Sequence, residues 1–85
     1  MTNQDIAREL RRRAADMAHA GGNLYRVRAF RQAAMAVLGL EGEVAELVRP
    51  AGAGVLERVP GIGRSLADTI AGLAELRHHE EPAAA

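Results

Sequence analysis

Val59-Pro60-Gly61-Ile62-Gly63, followed by Arg64 and Ser65, is a turn with almost no side-chain bulk that opens onto a helical apolar stripe. Two glycines around one aliphatic residue allow positive φ at both positions and bring backbone N–H groups to a bare surface. Those donors lie beside the open N-terminus of the next helix, where the helix dipole favours an anion. Ile62 is expected to pack back between the flanking helices, and Ser65 is placed to cap the following one with Arg64 beside it. A tight connection between packed helices would use the same glycines. The helix start with its arginine is what favours a phosphate, with Gly61, Ile62, Gly63, Arg64 and Ser65 as the contact set.

A second group of candidate residues is cationic. Arg26, Arg28 and Arg31 open a helical segment, Arg28 and Arg31 sharing a face and Arg26 lying off it. Arg8, Arg11, Arg12 and Arg13 form a denser cluster, but Glu9 with Arg13 and Arg12 with Asp16 have the i,i+4 spacing of surface ion pairs. That spacing assigns the cluster to solvated helix surface. His78-His79-Glu80-Glu81 carries metal-ligand types in a tail without a second set, and His19 suits a helix C-terminus. The carboxylates are scattered, and no pair has the setting of acid–base or two-metal chemistry.

Composition narrows the function classes. The 85 residues make one small domain, with 11 basic and 11 acidic residues and zero net charge. Every basic residue is arginine, so no side-chain amine is present for imine chemistry. Without cysteine there are no disulfides, thiolate metal sites or thiol nucleophiles. Tyr25 and Phe30 are the only aromatics, too few for a base-stacking platform. No apolar run reaches membrane-spanning length and the chain starts polar, so the expected location is cytoplasmic.

The elements that position these residues are all helical. Thr2-Asn3-Gln4-Asp5 has the form of a capping box, with Thr2 or Asn3 as the cap. Ile6, Leu10, Ala14 and Met17 then mark a helix ending near Ala20, stopped by Gly21-Gly22. Asn23 caps a second helix with the stripe Val27, Phe30, Ala34, Val37 and Leu38, ended by Gly39. Residues 43–48 read as a short third helix and residues 49–54 as a loop. Residues 55–58 form one helical turn into the hairpin, and the last helix buries Leu66, Ile70 and Leu73 before fading beyond Leu76. The expectation is an all-α domain of four to five helices over residues 1–77, with a disordered tail at 78–85.

Two motifs together resemble a known family. Asn23-Leu24-Tyr25-Arg26-Val27-Arg28-Ala29-Phe30-Arg31-Gln32-Ala33-Ala34 is similar to the N-x-aromatic-R-x-x-A-aromatic-R-x-A-A helix of the X-family DNA polymerases. Residues 59–70 resemble the hairpin that follows it in their N-terminal helix-hairpin-helix domain. Asn3-Gln4-Asp5-Ile6-Ala7 and Val44-Ala45-Glu46-Leu47 fit the bacterial members, so the likeness spans residue 3 to about residue 76. It implies that Gly61, Gly63 and the amides of Arg64 and Ser65 face a DNA phosphate. It sets Arg26 and Phe30 beside a 5′-phosphate pocket, and a monovalent cation on the carbonyls of Glu57, Val59 and Ile62. Animal members cleave deoxyribose phosphate through a lysine imine. Here Thr69 stands at that nucleophile's position and Ser65 replaces a supporting lysine, so the lyase chemistry does not carry over.

The expected function is therefore non-catalytic, sequence-independent binding of DNA backbone at nicks, gaps or 5′-phosphorylated ends in repair. A repair polymerase or nuclease would be the partner in trans. Two rivals stay open: a protein-interaction domain that kept the fold without DNA, which zero net charge favours, and a lyase, which the missing lysine disfavours.

Overall fold

The computed structural model describes residues 2–84, and their side chains except those of Pro50, Ala51 and residues 76–84. Four α-helices and one 3₁₀ helix follow in order: α1 (Asn3–His19), α2 (Leu24–Leu38), α3 (Val44–Ala51), the 3₁₀ helix (Ala53–Arg58) and α4 (Arg64–Ala84). No strand occurs among the described residues, and the fold is all-α as expected.

Thr2 rather than Asn3 caps α1. Its hydroxyl accepts from the Asp5 N–H at 3.1 Å while Asp5 Oδ2 accepts from the Thr2 N–H at 3.1 Å, a reciprocal capping box. At the other end the Gly22 N–H reaches Met17 O at 2.8 Å and the Gly21 N–H reaches Ala18 O at 3.2 Å. This is a Schellman stop, made possible by Gly21 at φ 74°. Gly22 is equally required, since a Cβ there would lie 2.9 Å from Met17 O. Asn23 then caps α2 by accepting from the Tyr25 N–H at 2.7 Å.

The four-residue link folds α2 back antiparallel to α1. Ile6, Ala7, Leu10 and Ala14 meet Val27, Phe30, Ala33, Ala34 and Val37 in a shared core. Val44, Leu56, Ile62, Leu66, Ala67, Ile70, Leu73 and Ala74 complete it. Leu38 does not belong there: it is exposed, because its place on α2 turns it away from the buried stripe. Gly39 ends α2 in an ordinary right-handed conformation, not a left-handed cap.

Asn3 has a role the sequence does not suggest. Its Oδ1 accepts from the Val44 N–H at 2.8 Å and its Nδ2 donates to Gly42 O at 2.8 Å. The Asn3 N–H also donates to Glu43 Oε1 at 3.2 Å. Glu43 gives α3 no side-chain cap, so Asn3 supplies one from the far end of the chain.

Residues 49–51, expected in a loop, belong to α3. A proline removes one helix hydrogen bond, which a last turn tolerates. The chain leaves the helix at Gly52, whose φ of 77° and ψ of −174° suit only glycine. The following turn is a 3₁₀ helix that begins two residues earlier than expected, at Ala53. α4 also continues through residues 78–84, where the lack of apolar periodicity suggests disorder. Once a helix is nucleated, propagation needs no tertiary contact. Ala85 lies outside the described residues.

Candidate nucleic-acid interface

Val59, Pro60, Gly61 and Ile62 form a β-turn closed by the Ile62 N–H donating to Val59 O at 3.0 Å. Pro60 sits at its second position and Gly61 at its third with φ 94°, the pattern a type II turn requires. The expectation of positive φ at both glycines is corrected at Gly63, which stays in the ordinary region. Type II geometry needs only one left-handed residue, and Gly61 supplies it. Ile62 is buried in the core, as its aliphatic side chain predicts, so only its backbone is available to a ligand.

Gly63 is the residue from which α4 departs: its carbonyl accepts from the Ala67 N–H at 2.8 Å. Ser65 therefore lies inside the helix rather than at its cap, because the helix starts two residues earlier than a serine cap needs. A glycine in the cap position brings no side-chain oxygen to the first-turn donors. Among the described residues, the N–H groups of Gly63, Arg64 and Ser65 have no protein partner. All three residues are exposed. A Cβ built on Gly63 would meet nothing within 4 Å, so its face is open space.

The electrostatics match. The first turn of α4 has no acidic residue and instead carries Arg64. α2 likewise has no acid in its first turn, which contains Arg26. The first turns of α1 and α3 hold Asp5 and Glu46, the usual complement to the dipole. Two of the four α-helix N-termini are thus left positive. Sequence reading did not single out this contrast, although it is visible there once the helix starts are known.

The cationic candidates divide. The Arg26 guanidinium lies 5.6 Å from the centroid of Phe30, a cation–π contact that steadies an exposed arginine on a buried ring. Phe30 is core, so its part at a phosphate site can only be to support Arg26. Arg28 and Arg31 are exposed on the outer side of α2. The hairpin apex rests elsewhere on that helix, with the ideal Gly61 Cβ position 3.7 Å from both Gln32 O and Ala36 Cβ. Neither Gln32 nor Ala36 was singled out in the sequence.

The α1 arginines behave as their spacing predicts. Arg12 bridges Glu9 at 2.6 Å and Asp16 at 2.8 Å, Arg13 bonds Glu9 at 2.9 Å, and Arg8 lies 3.4 Å from Asp5. Hydrogen bonds from Arg12 first, then Arg13, lower the Glu9 carboxyl from its ordinary value to about 2. These charges are spent within the helix and leave little for a ligand.

Thr69 donates its hydroxyl to Ser65 O at 3.1 Å, which ties that oxygen to the helix backbone. Among the described residues no group of His, Asp and Glu could hold a metal ion. The side chains of His78, His79, Glu80 and Glu81 lie outside those described. The carbonyls of Glu57, Val59 and Ile62 keep acceptor capacity. Pro60 has no N–H for Glu57 O, no donor to Ile62 O is found among the described residues, and Val59 O keeps one lone pair beside its single bond. A groove of about 540 Å³ between α3 and α4, walled in part by Val48, Arg49, Asp68 and Glu75, contains none of residues 59–65.

A short helix, a type II turn with a buried aliphatic tip, and a helix with bare N-terminal amides define a helix-hairpin-helix architecture. The helix-hairpin-helix domain family matches residues 1–79, and the chain belongs to it. Domains of this family generally bind DNA without reading its sequence. No curated protein and no solved structure matches the chain. No described helix is long and apolar enough to cross a membrane.

Proposed function

We propose that this chain is a non-catalytic module that holds the DNA backbone through its hairpin, at nicks, gaps or 5′-phosphorylated ends during repair. The observation that carries the proposal is the run of exposed, unpartnered N–H groups at Gly63, Arg64 and Ser65, set on a helix start without acidic residues. Main-chain donors there accept any phosphate, which gives position without base information. Arg26, steadied on Phe30, is the residue proposed for a 5′-phosphate. The carbonyls of Glu57, Val59 and Ile62 would hold a monovalent cation, adding positive charge beside the phosphate. A repair polymerase or nuclease acting on the held DNA is the partner this reading implies, and a cytoplasmic location accords with it.

The domain is proposed to lack lyase activity. An imine needs a neutral amine, the chain has no lysine, and arginine stays protonated. The α-amino group of Met1 lies outside the described residues. Borohydride should trap no adduct with abasic DNA above a denatured-protein control, and a robust adduct would refute this part.

The test of the repair reading is Arg26→Ala. It should weaken binding to a 5′-phosphorylated gap more than binding to intact duplex, by roughly the threefold to tenfold of a lost charged contact. Equal losses on both DNAs would remove Arg26 from a 5′-phosphate site.

A further inference from the structure

The outer face of α2 is a surface the DNA reading leaves unexplained. Leu24, Arg28, Arg31, Met35 and Leu38 follow one another at spacings of four, three, four and three. That is the 3.5-residue repeat of a coiled-coil seam, drawn along a face that flanks the buried stripe. Leu24 is 68%, Met35 73% and Leu38 46% exposed. With Tyr25, also on α2, they are all the large exposed apolar side chains among the described residues. A helix that is apolar on two sides is normally covered on both. Here the buried stripe packs in the core with α1, while Leu24, Met35 and Leu38 are left exposed among the described residues.

The charge at the centre of the seam selects what covers it. Arg28 and Arg31 are exposed, and no ion pair involves either among the described residues. A second copy of the chain is a poor fit. Any register that pairs the apolar ends of two such seams brings four guanidinium groups together in the middle. DNA is also a poor fit, since a phosphate backbone gains nothing from Leu24, Met35 and Leu38.

We propose that this face docks an amphipathic helix of a partner protein, with apolar residues at its ends and acidic residues at its two central seam positions. Carboxylates there would meet Arg28 and Arg31 in bidentate pairs, while Leu24, Met35 and Leu38 bury apolar area on either side. The face adjoins the hairpin contact at Gln32 and Ala36 but shares no residue with it.

The test uses a synthetic helical peptide with leucines at the outer seam positions and glutamates at the two central ones. A control peptide has lysines in place of the glutamates, and binding is read by fluorescence anisotropy. The glutamate peptide should bind at least tenfold more tightly than the lysine peptide. The double variant R28E/R31E, at exposed sites and with unchanged circular dichroism, should reverse that preference, whereas Gly63→Val should leave it intact. Equal binding of both peptides, or no binding of the glutamate peptide, would overturn the proposal. So would a dimer in sedimentation that M35D/L38D abolishes, because that would assign the face to a second copy. Loss of DNA binding in R28E/R31E without peptide binding would return both arginines to the nucleic acid and overturn it as well.

Discussion

At the hairpin, Gly61 has a φ of 94° and Gly63 stays in the ordinary region, so the two glycines tolerate different substitutions. Gly63→Val places its side chain in open space and requires no strained backbone. Beyond a poorer helix cap, its effect should be to occupy the surface where a phosphate would approach. The variant should stay folded with unchanged circular dichroism, losing at most about 1 kcal/mol of stability at the cap, while DNA binding falls at least tenfold, about 1.4 kcal/mol. A folded variant that binds DNA as well as wild type would remove the hairpin from the interface. Gly61→Ala should do the reverse first, costing about 1–2 kcal/mol of stability through the left-handed conformation. Glu9 gives a second prediction at this scale. Its folded carboxyl titrates near 2, below the ordinary 4.5, so its contribution is fully present above about pH 4.5 and is lost as pH falls towards 2. Glu9→Gln should reduce stability by roughly 0.5–1 kcal/mol at neutral pH and flatten the acid limb of the stability curve. An unchanged acid limb would show that the Arg12–Glu9–Arg13 cluster contributes nothing.

Among the elements, Asn3 joins the start of α1 to the start of α3 and the link before it. Asn3→Ala should leave the Val44 N–H and the Gly42 carbonyl without these partners in a mostly buried setting. The expected cost is about 2–3 kcal/mol, read as a lower urea midpoint with little change in slope. A loss below about 0.5 kcal/mol would mean that water replaces the side chain without penalty. Helix number, core stripes and the hairpin were legible in the sequence because each rests on local periodicity or a glycine signal. The Glu9–Arg13 and Arg12–Asp16 pairs were legible too, since i,i+4 spacing fixes them within one helix, whereas the i,i+3 pairs Arg12–Glu9 and Arg8–Asp5 were not read. The Asn3 clamp was not, because its partners are about forty residues away and nothing local distinguishes a clamping asparagine from a capping one. Leu38 and Ser65 misled for a related reason. An apolar residue next to a buried stripe, or a serine next to a helix start, depends on a register that one residue can shift.

For the molecule as a whole, zero net charge means that affinity for DNA cannot come from a general positive field. The arginines of α1 are largely paired with carboxylates, and Arg28 and Arg31 lie along an apolar seam. The cationic patch proposed to meet phosphate is the small one formed by the hairpin amides, Arg64 and Arg26. Roughly two to four phosphates can be neutralised there, so binding should be modest and only moderately steep in salt. The candidate site was legible as a turn and a family likeness. Its limited size was not, because which arginines are already engaged is a property of the folded surface. The most direct measurement is a salt titration of DNA affinity for the wild-type protein and Gly63→Val side by side. The account predicts a log–log slope of about −2 to −3.5 for wild type, with binding at least tenfold weaker in the variant at every salt concentration. Binding with a slope near zero, or a variant indistinguishable from wild type, would contradict recognition of the DNA backbone by this hairpin.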